Sequence, residues 1–175
     1  MDLLPFAPEY APLVANWACS AEEAVLWCGE REFPVPARRI AEWQEQDWVH
    51  SRLLVAGGAA VGYGELWTDD GNGTDGENGE DEAELARIIV APAVRGRGLG
   101  RALVRGLASE ALAAGRAEVF LRVHPDNPAA LRCYRNAGFA PVDAAAAQTW
   151  NAGQPVDYIW LRLPDFARSR TGTPD

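Results

Sequence analysis

Residues 94–106 read VRGRGLGRALVRG, with Arg95, Arg97, Arg101 and Arg105 spaced around Gly96, Gly98, Gly100 and Gly106. The whole chain has a formal net charge of -9, so four arginines without an acid stand out locally. Glycines let a backbone turn tightly and point several N–H groups the same way, which makes a nest for an anion. A helix starting at the turn adds partial positive charge at its N-terminus. Arg97 and Arg101 oppose that dipole, so their placement is unfavourable unless something negative docks there. Two phosphate patterns fail. A GxGxxG fingerprint begun at Gly96 or Gly98 needs glycine where Arg101 or Leu103 stands. A P-loop begun at Gly96 needs glycine and lysine where Arg101 and Ala102 stand. What remains, Arg95-Gly96-Arg97-Gly98-Leu99-Gly100, fits [Q/R]-x-x-G-x-[G/A].

The elements around the turn can be read from periodicity and caps. A strand is expected over 83–92, then the turn, then a helix to about residue 114 that Gly115 ends. Leu99, Leu103, Leu107 and Ala111 recur every four residues and form the face that packs on a sheet. A strand over 117–123 follows. A short helix over 127–139 comes next, with Asn127 at the N-cap, Pro128 at N1 and Gly138 just past its end. Strands are expected over about 143–151 and 155–163. Upstream, residues 3–8 read as a strand, and Leu13, Val14 and Trp17 sit at helical spacing. Ser20 and Glu23 form a capping box with Gly29 as the stop, and 37–48 reads as another helix. A hairpin over 51–67 turns at Gly57-Gly58. The acidic, glycine-rich run 68–82 is expected to be a solvated, mobile loop. It fails the calcium-loop pattern, since Asp75 stands sixth from Asp70 where glycine is required. A hairpin, a strand–helix–strand unit and two closing strands indicate a mixed α/β sheet.

The turn, with ELARIIVAP before it and NPAALRCYRNAGF after it, resembles the GNAT superfamily of acetyl-CoA-dependent N-acetyltransferases. The match is close over 83–142 and looser over one domain spanning 1–165, with a frayed tail over 166–175. The resemblance implies a mixed sheet of six or seven strands with about four helices. It also implies a strand that splays before the glycine turn, and Pro92, which lacks an N–H, is where that strand should leave its partner. By resemblance, Ile88, Ile89 and Val90 meet the pantetheine arm of acetyl-CoA through their main chain. Arg95, Gly96, Arg97, Gly98, Leu99, Gly100 and Arg101 hold its pyrophosphate, and Asn127 caps its helix and contacts coenzyme A.

The implied chemistry is direct transfer, with no nucleophile demanded from the protein. The amine must be neutral, the thioester oxygen stabilised and the departing thiolate protonated. Tyr134 takes the place of the tyrosine that protonates the coenzyme A sulfur, and it also touches the cofactor. Glu84, eleven residues before Arg95, takes the place of the glutamate that removes the amine proton, with Glu65 as a rival base and water alone as the remaining alternative. The N–H of Val90 or its neighbour would be the oxyanion donor. Cys133, His50 and His124 read as ordinary structural residues. The acceptor is an amine, a small molecule or a peptide N-terminus. Trp17, Trp27, Trp43, Trp48, Trp150 and Tyr158 lie in the regions that build its cleft, most of them as core. A non-catalytic acyl-CoA-binding module is the alternative reading.

Composition bounds the rest. With 175 residues and 48% hydrophobic content, the chain can bury one sizeable core. The acidic balance argues against nucleic acid or an anionic membrane as partner. No apolar run is long enough to span a bilayer, and Asp2 and Pro5 interrupt any leader. Cys19, Cys28 and Cys133 cannot all pair and match no metal-site spacing, which suits a reducing, cytoplasmic setting and no metal. A homodimer is left open.

Overall fold

The computed structural model describes residues 1–68 and 81–164, so most of the acidic run and the tail lie outside the described residues. Seven strands form one mixed sheet in the order β1-β2-β3-β4-β5-β7-β6. They are β1 Asp2–Pro5, β2 Val49–Ala56, β3 Ala59–Thr68, β4 Glu82–Val90, β5 Glu118–Val123, β6 Ala140–Pro141 and β7 Ile159–Arg162. Only β4 and β5 run parallel. The helices are α1 Ala11–Ala15, α2 Ala21–Cys28, α3 Ala37–Trp43, α4 Leu99–Ala113, α5 Pro128–Ala137 and α6 Ala144–Asn151. No helix among the described residues is long and apolar enough to cross a membrane.

Local chemistry explains where the helices begin and end. The Ser20 hydroxyl accepts from the Glu23 N–H at 3.1 Å and Gly29 closes α2 in the left-handed region, as the capping box requires. Asn127 accepts from the Ala130 N–H at 3.1 Å and Gly138, with φ 110°, stops α5. The stretch expected as a strand over 143–151 is instead helix α6. Asp143 accepts from the Ala146 N–H at 2.9 Å, and a run of alanines, the strongest helix formers, follows it. Counting α6 and the short α1, six helices surround the sheet rather than the expected four or so.

Two apolar clusters cover the two faces. Leu103, Val104, Leu107, Ala108 and Ala111 of α4 join Tyr134, Ala137 and Phe139 on one face. Burying each such leucine contributes roughly 1.5–3 kcal/mol. On the other face Val14, Ala24 and Ile40 from α1–α3 meet Tyr63 and Ile89. Along β3, side chains alternate between these layers, and Gly62 and Gly64 fall under α4. A Cβ at Gly64 would lie 2.8 Å from Leu107 Cδ1, so glycine lets the helix settle on the sheet.

Candidate active site

Strands β4 and β5 pair at only three positions, the last being Glu84 with Phe120. Beyond Glu84 they diverge, so the splay opens well before Pro92, where it was expected. Pro92 instead starts a 3-10 turn, after the Ala91 N–H has made one more bond to Val61 O at 2.9 Å. The divergence leaves the β5-facing edge of β4 without a strand partner among the described residues, and two cavities fill the gap.

The larger cavity, about 590 Å³, runs from Ile88, Ile89 and Val90 past the glycine turn to α5. Gly96 and Gly98 have φ 75° and 80°, and a Cβ on either would meet nothing within 4 Å. Their requirement is therefore conformational, and the space around them stays open. Gly98 is the N-cap of α4 and offers no side-chain cap, while the first turn contains no acid. The orphan N–H groups there point outward unsatisfied by the helix itself, ready for an anion. Leu99, Gly100 and Arg101 line the same cavity; Arg97 is exposed and does not. We expect Arg101→Ala to raise the Kd for acetyl-CoA about threefold to tenfold, more at low salt, and Arg97→Ala to do less. Isothermal titration at two ionic strengths checks the order.

Arg95, expected to hold the pyrophosphate, lines the larger cavity and also makes three contacts within the protein. Its Nη1 lies 2.7 Å from Glu23 Oε1, Nη2 donates to Trp17 O at 2.8 Å, and Nε donates to Val90 O at 2.9 Å. All three nitrogens are engaged by the protein because α2, the turn after α1 and the end of β4 each present an acceptor. The guanidinium thus ties α2 to the end of β4 beside the cavity that Arg95 lines.

The smaller cavity, about 270 Å³, lies between β4, β5 and α2. Trp27, Trp67, Glu84, Arg122, His124 and Tyr158 line it, and Asn127 sits on this wall rather than on the larger cavity. Tyr134, Ile88, Ile89 and Glu23 line both, so the cavities meet at the tyrosine. Tyr134 is 8% exposed, and burial pushes its phenol pKa up, with the neighbouring Cys133 adding to the shift. It is held protonated at neutral pH.

Glu84 has a side chain only 13% exposed, and burial raises its pKa to about 7 against the pull of Arg122 and Arg87. Arg122 Nε approaches Glu84 Oε1 at 3.0 Å, yet that oxygen accepts no aligned hydrogen bond. The pair is close but poorly oriented, which is why burial prevails. Glu65, the rival base, is 0% exposed and lines neither cavity. The Tyr63 hydroxyl, the Trp67 indole at 2.6 Å and Arg87 Nη1 at 2.9 Å all donate to its carboxylate. Among the described residues, no group of three or more His, Cys, Asp or Glu side chains could hold a metal.

A helix N-terminus with a glycine nest, an unpaired strand edge and a second cavity joined at a protonated phenol make up the site of an acyl-CoA-dependent transferase. Residues 18–139 match the family model described as the acetyltransferase (GNAT) family. The chain is 36% identical over 126 residues to N-alpha-acetyltransferase RimI of Mycobacterium tuberculosis, covering 71% of this chain and 72% of that protein. It is 39% identical over 110 residues to mycothiol acetyltransferase of Nocardia farcinica, where the match covers 63% of this chain. Only 27% of that longer protein is spanned. Among solved structures, aminoglycoside acetyltransferase AAC(6')-Ib in complex with coenzyme A has the same fold, with a TM-score of 0.75 at 20% identity over 98% of each chain. The chain belongs to the acetyltransferase (GNAT) family. Its reaction is acetyl transfer to an amine.

Proposed function

We propose that this enzyme acetylates the N-terminal α-amine of a polypeptide, with acetyl-CoA as donor. The observation that carries the choice of acceptor is the carboxyl of Glu84, raised to about 7 in the smaller cavity. An α-ammonium has a pKa of about 8, so passing its proton to such a base is nearly balanced; a lysine ammonium, at about 10.4, resists by more than two further units. The acidic and basic side chains lining the described part of that cavity are all paired: Glu23 with Arg95, Glu84 with Arg122 and Arg87 with Glu65. A polycationic acceptor would need unpaired acids there. The relation to an N-alpha-acetyltransferase supports the same reading.

In this mechanism acetyl-CoA lies along the open edge of β4, its diphosphate on the N–H groups that open α4. Glu84 removes the amine proton, and the freed lone pair attacks the thioester carbonyl. Main-chain N–H groups of β4 near Val90 stabilise the oxyanion, and Tyr134 donates to the sulfur as the C–S bond breaks. The three free thiols and the need for acetyl-CoA fit a reducing, cytoplasmic setting.

The test is thiol release from acetyl-CoA with three acceptors at pH 7: short peptides with free N-termini, N-blocked lysine peptides and aminoglycosides. We expect kcat/KM for the α-amine to exceed the lysine value by about 100-fold, tracking the neutral fraction of each amine. A preference for lysine or aminoglycoside would overturn the acceptor. Binding of acetyl-CoA with no turnover on any amine would indicate a binding module.

A further inference from the structure

Strand β4 carries one residue more than β3 allows. Tyr63 stands opposite Ile89 and Glu65 opposite Ala86, so Arg87 and Ile88 together face Gly64. This is a β-bulge, and its first residue, Arg87, has φ 45°. Glycine normally takes that place because a side chain in the left-handed region is strained. An arginine held there needs something to hold it.

Four groups do so. The Arg87 guanidinium pairs with the fully buried Glu65 at 2.9 Å. It lies over the Trp43 ring at 4.0 Å and the Trp67 ring at 4.9 Å. The Trp27 indole N–H donates to Arg87 O at 2.8 Å, gripping the strained peptide itself. Glu65 is braced in turn by Tyr63, to whose hydroxyl oxygen Gln44 donates at 3.2 Å. Opposite the bulge, a Cβ at Gly64 would lie 3.3 Å from Ile88 Cγ1, so that side is tight as well.

We infer that the buried Glu65–Arg87 pair is a positioning device that holds the β4 bulge, and thereby aims the main chain of Ile88 and Ile89 into the gap where the two cavities meet. An added residue shifts a strand's alternation by one, which redirects its N–H and C=O groups from one neighbour to the other. Here the residues just after the bulge are those that line both cavities. Glu65 therefore acts through Arg87 on the strand, without touching either substrate. The inference rests on β4 being the strand along which the donor lies.

The test separates the backbone from the side chains. Glu65→Gln/Arg87→Ala and Glu65→Gln/Arg87→Gly both lack the ion pair and leave no unpaired buried charge, but only glycine adopts φ 45° freely. We expect the alanine form to lose kcat about tenfold to 100-fold at saturating substrates, with the Kd for acetyl-CoA changed less than about threefold. The glycine form should recover most of that loss. A structural role alone predicts the reverse order, since glycine removes the most packing and adds chain entropy. If the alanine form does not fold, Glu65→Gln alone is read, with an expected fall in kcat of a few-fold. Equal kcat in the alanine and glycine forms, unchanged kcat in Glu65→Gln, or a loss seen only in the acceptor KM would each overturn the inference. Absence of turnover in the unmodified enzyme would instead count against the proposed function.

Discussion

Tyr134→Phe is expected to lower kcat about 100-fold while leaving the Kd for acetyl-CoA within about twofold. Tyr134 lines both cavities, and in the proposed mechanism the thioester sulfur stands beside it so that an amine in the smaller cavity reaches the carbonyl. A thiolate leaving in a buried site is poorly solvated, so a hydrogen-bond donor at the sulfur acts mainly in the transition state. Burial raises the pKa of Tyr134, so the phenol keeps its proton until the departing sulfur takes it. Phenylalanine keeps the ring and therefore the packing with Ala137 and Phe139. The fall should thus appear in kcat and not in the melting temperature. Stopped-flow thiol release with saturating substrates is the measurement; an unchanged kcat would remove Tyr134 from the mechanism. A solvent isotope effect that is present in the native enzyme and diminished in the variant would tie the loss to proton donation.

Much of this arrangement was legible in the sequence where the signals are local. Ser20 with Glu23, Asn127 with Pro128, and Gly138 set their helices through contacts within a few residues, and they lie as expected. The Gly96–Gly100 turn was equally readable, because positive φ and an uncapped helix start are properties of a short segment. Asp143 before four alanines was a local signal too, and it marks α6 as helix through the same capping chemistry. What the sequence conceals is contact at a distance. Arg95 finds Trp17 O across 78 residues, a contact that spacing along the chain does not show. Glu65 and Arg87 are 22 residues apart, and only the register of β3 against β4 brings them together. The point where β4 leaves β5 depends on the packing of two strands joined through α4, and Pro92 does not determine it.

Glu84→Gln should lower kcat/KM for an α-amine about 100-fold at pH 7 and shift its pH dependence. In the native enzyme the Glu84 carboxylate takes the proton of the bound ammonium, so activity requires one proton lost overall and rises with a slope of about one up to pH 7, where the carboxyl ionises. Glutamine leaves only the amine's own ionisation, so the rise should move up to a midpoint near pH 8. Stability should move the opposite way. A carboxyl whose pKa rises from 4.5 to about 7 on folding binds its proton more tightly in the folded state. Folded stability is therefore lost as pH climbs through that window, by roughly 3 kcal/mol once the group is ionised. Glutamine cannot ionise, so the variant should melt higher than the native protein at pH 8 and differ little at pH 4.5. Thermal melts across that range, beside the rate profile, make a joint test. An unchanged midpoint would leave the base elsewhere. A variant less stable at pH 8 would mean that the Arg122 pair outweighs the burial of Glu84, in which case the carboxyl is a structural ion-pair partner and not a base poised near neutrality.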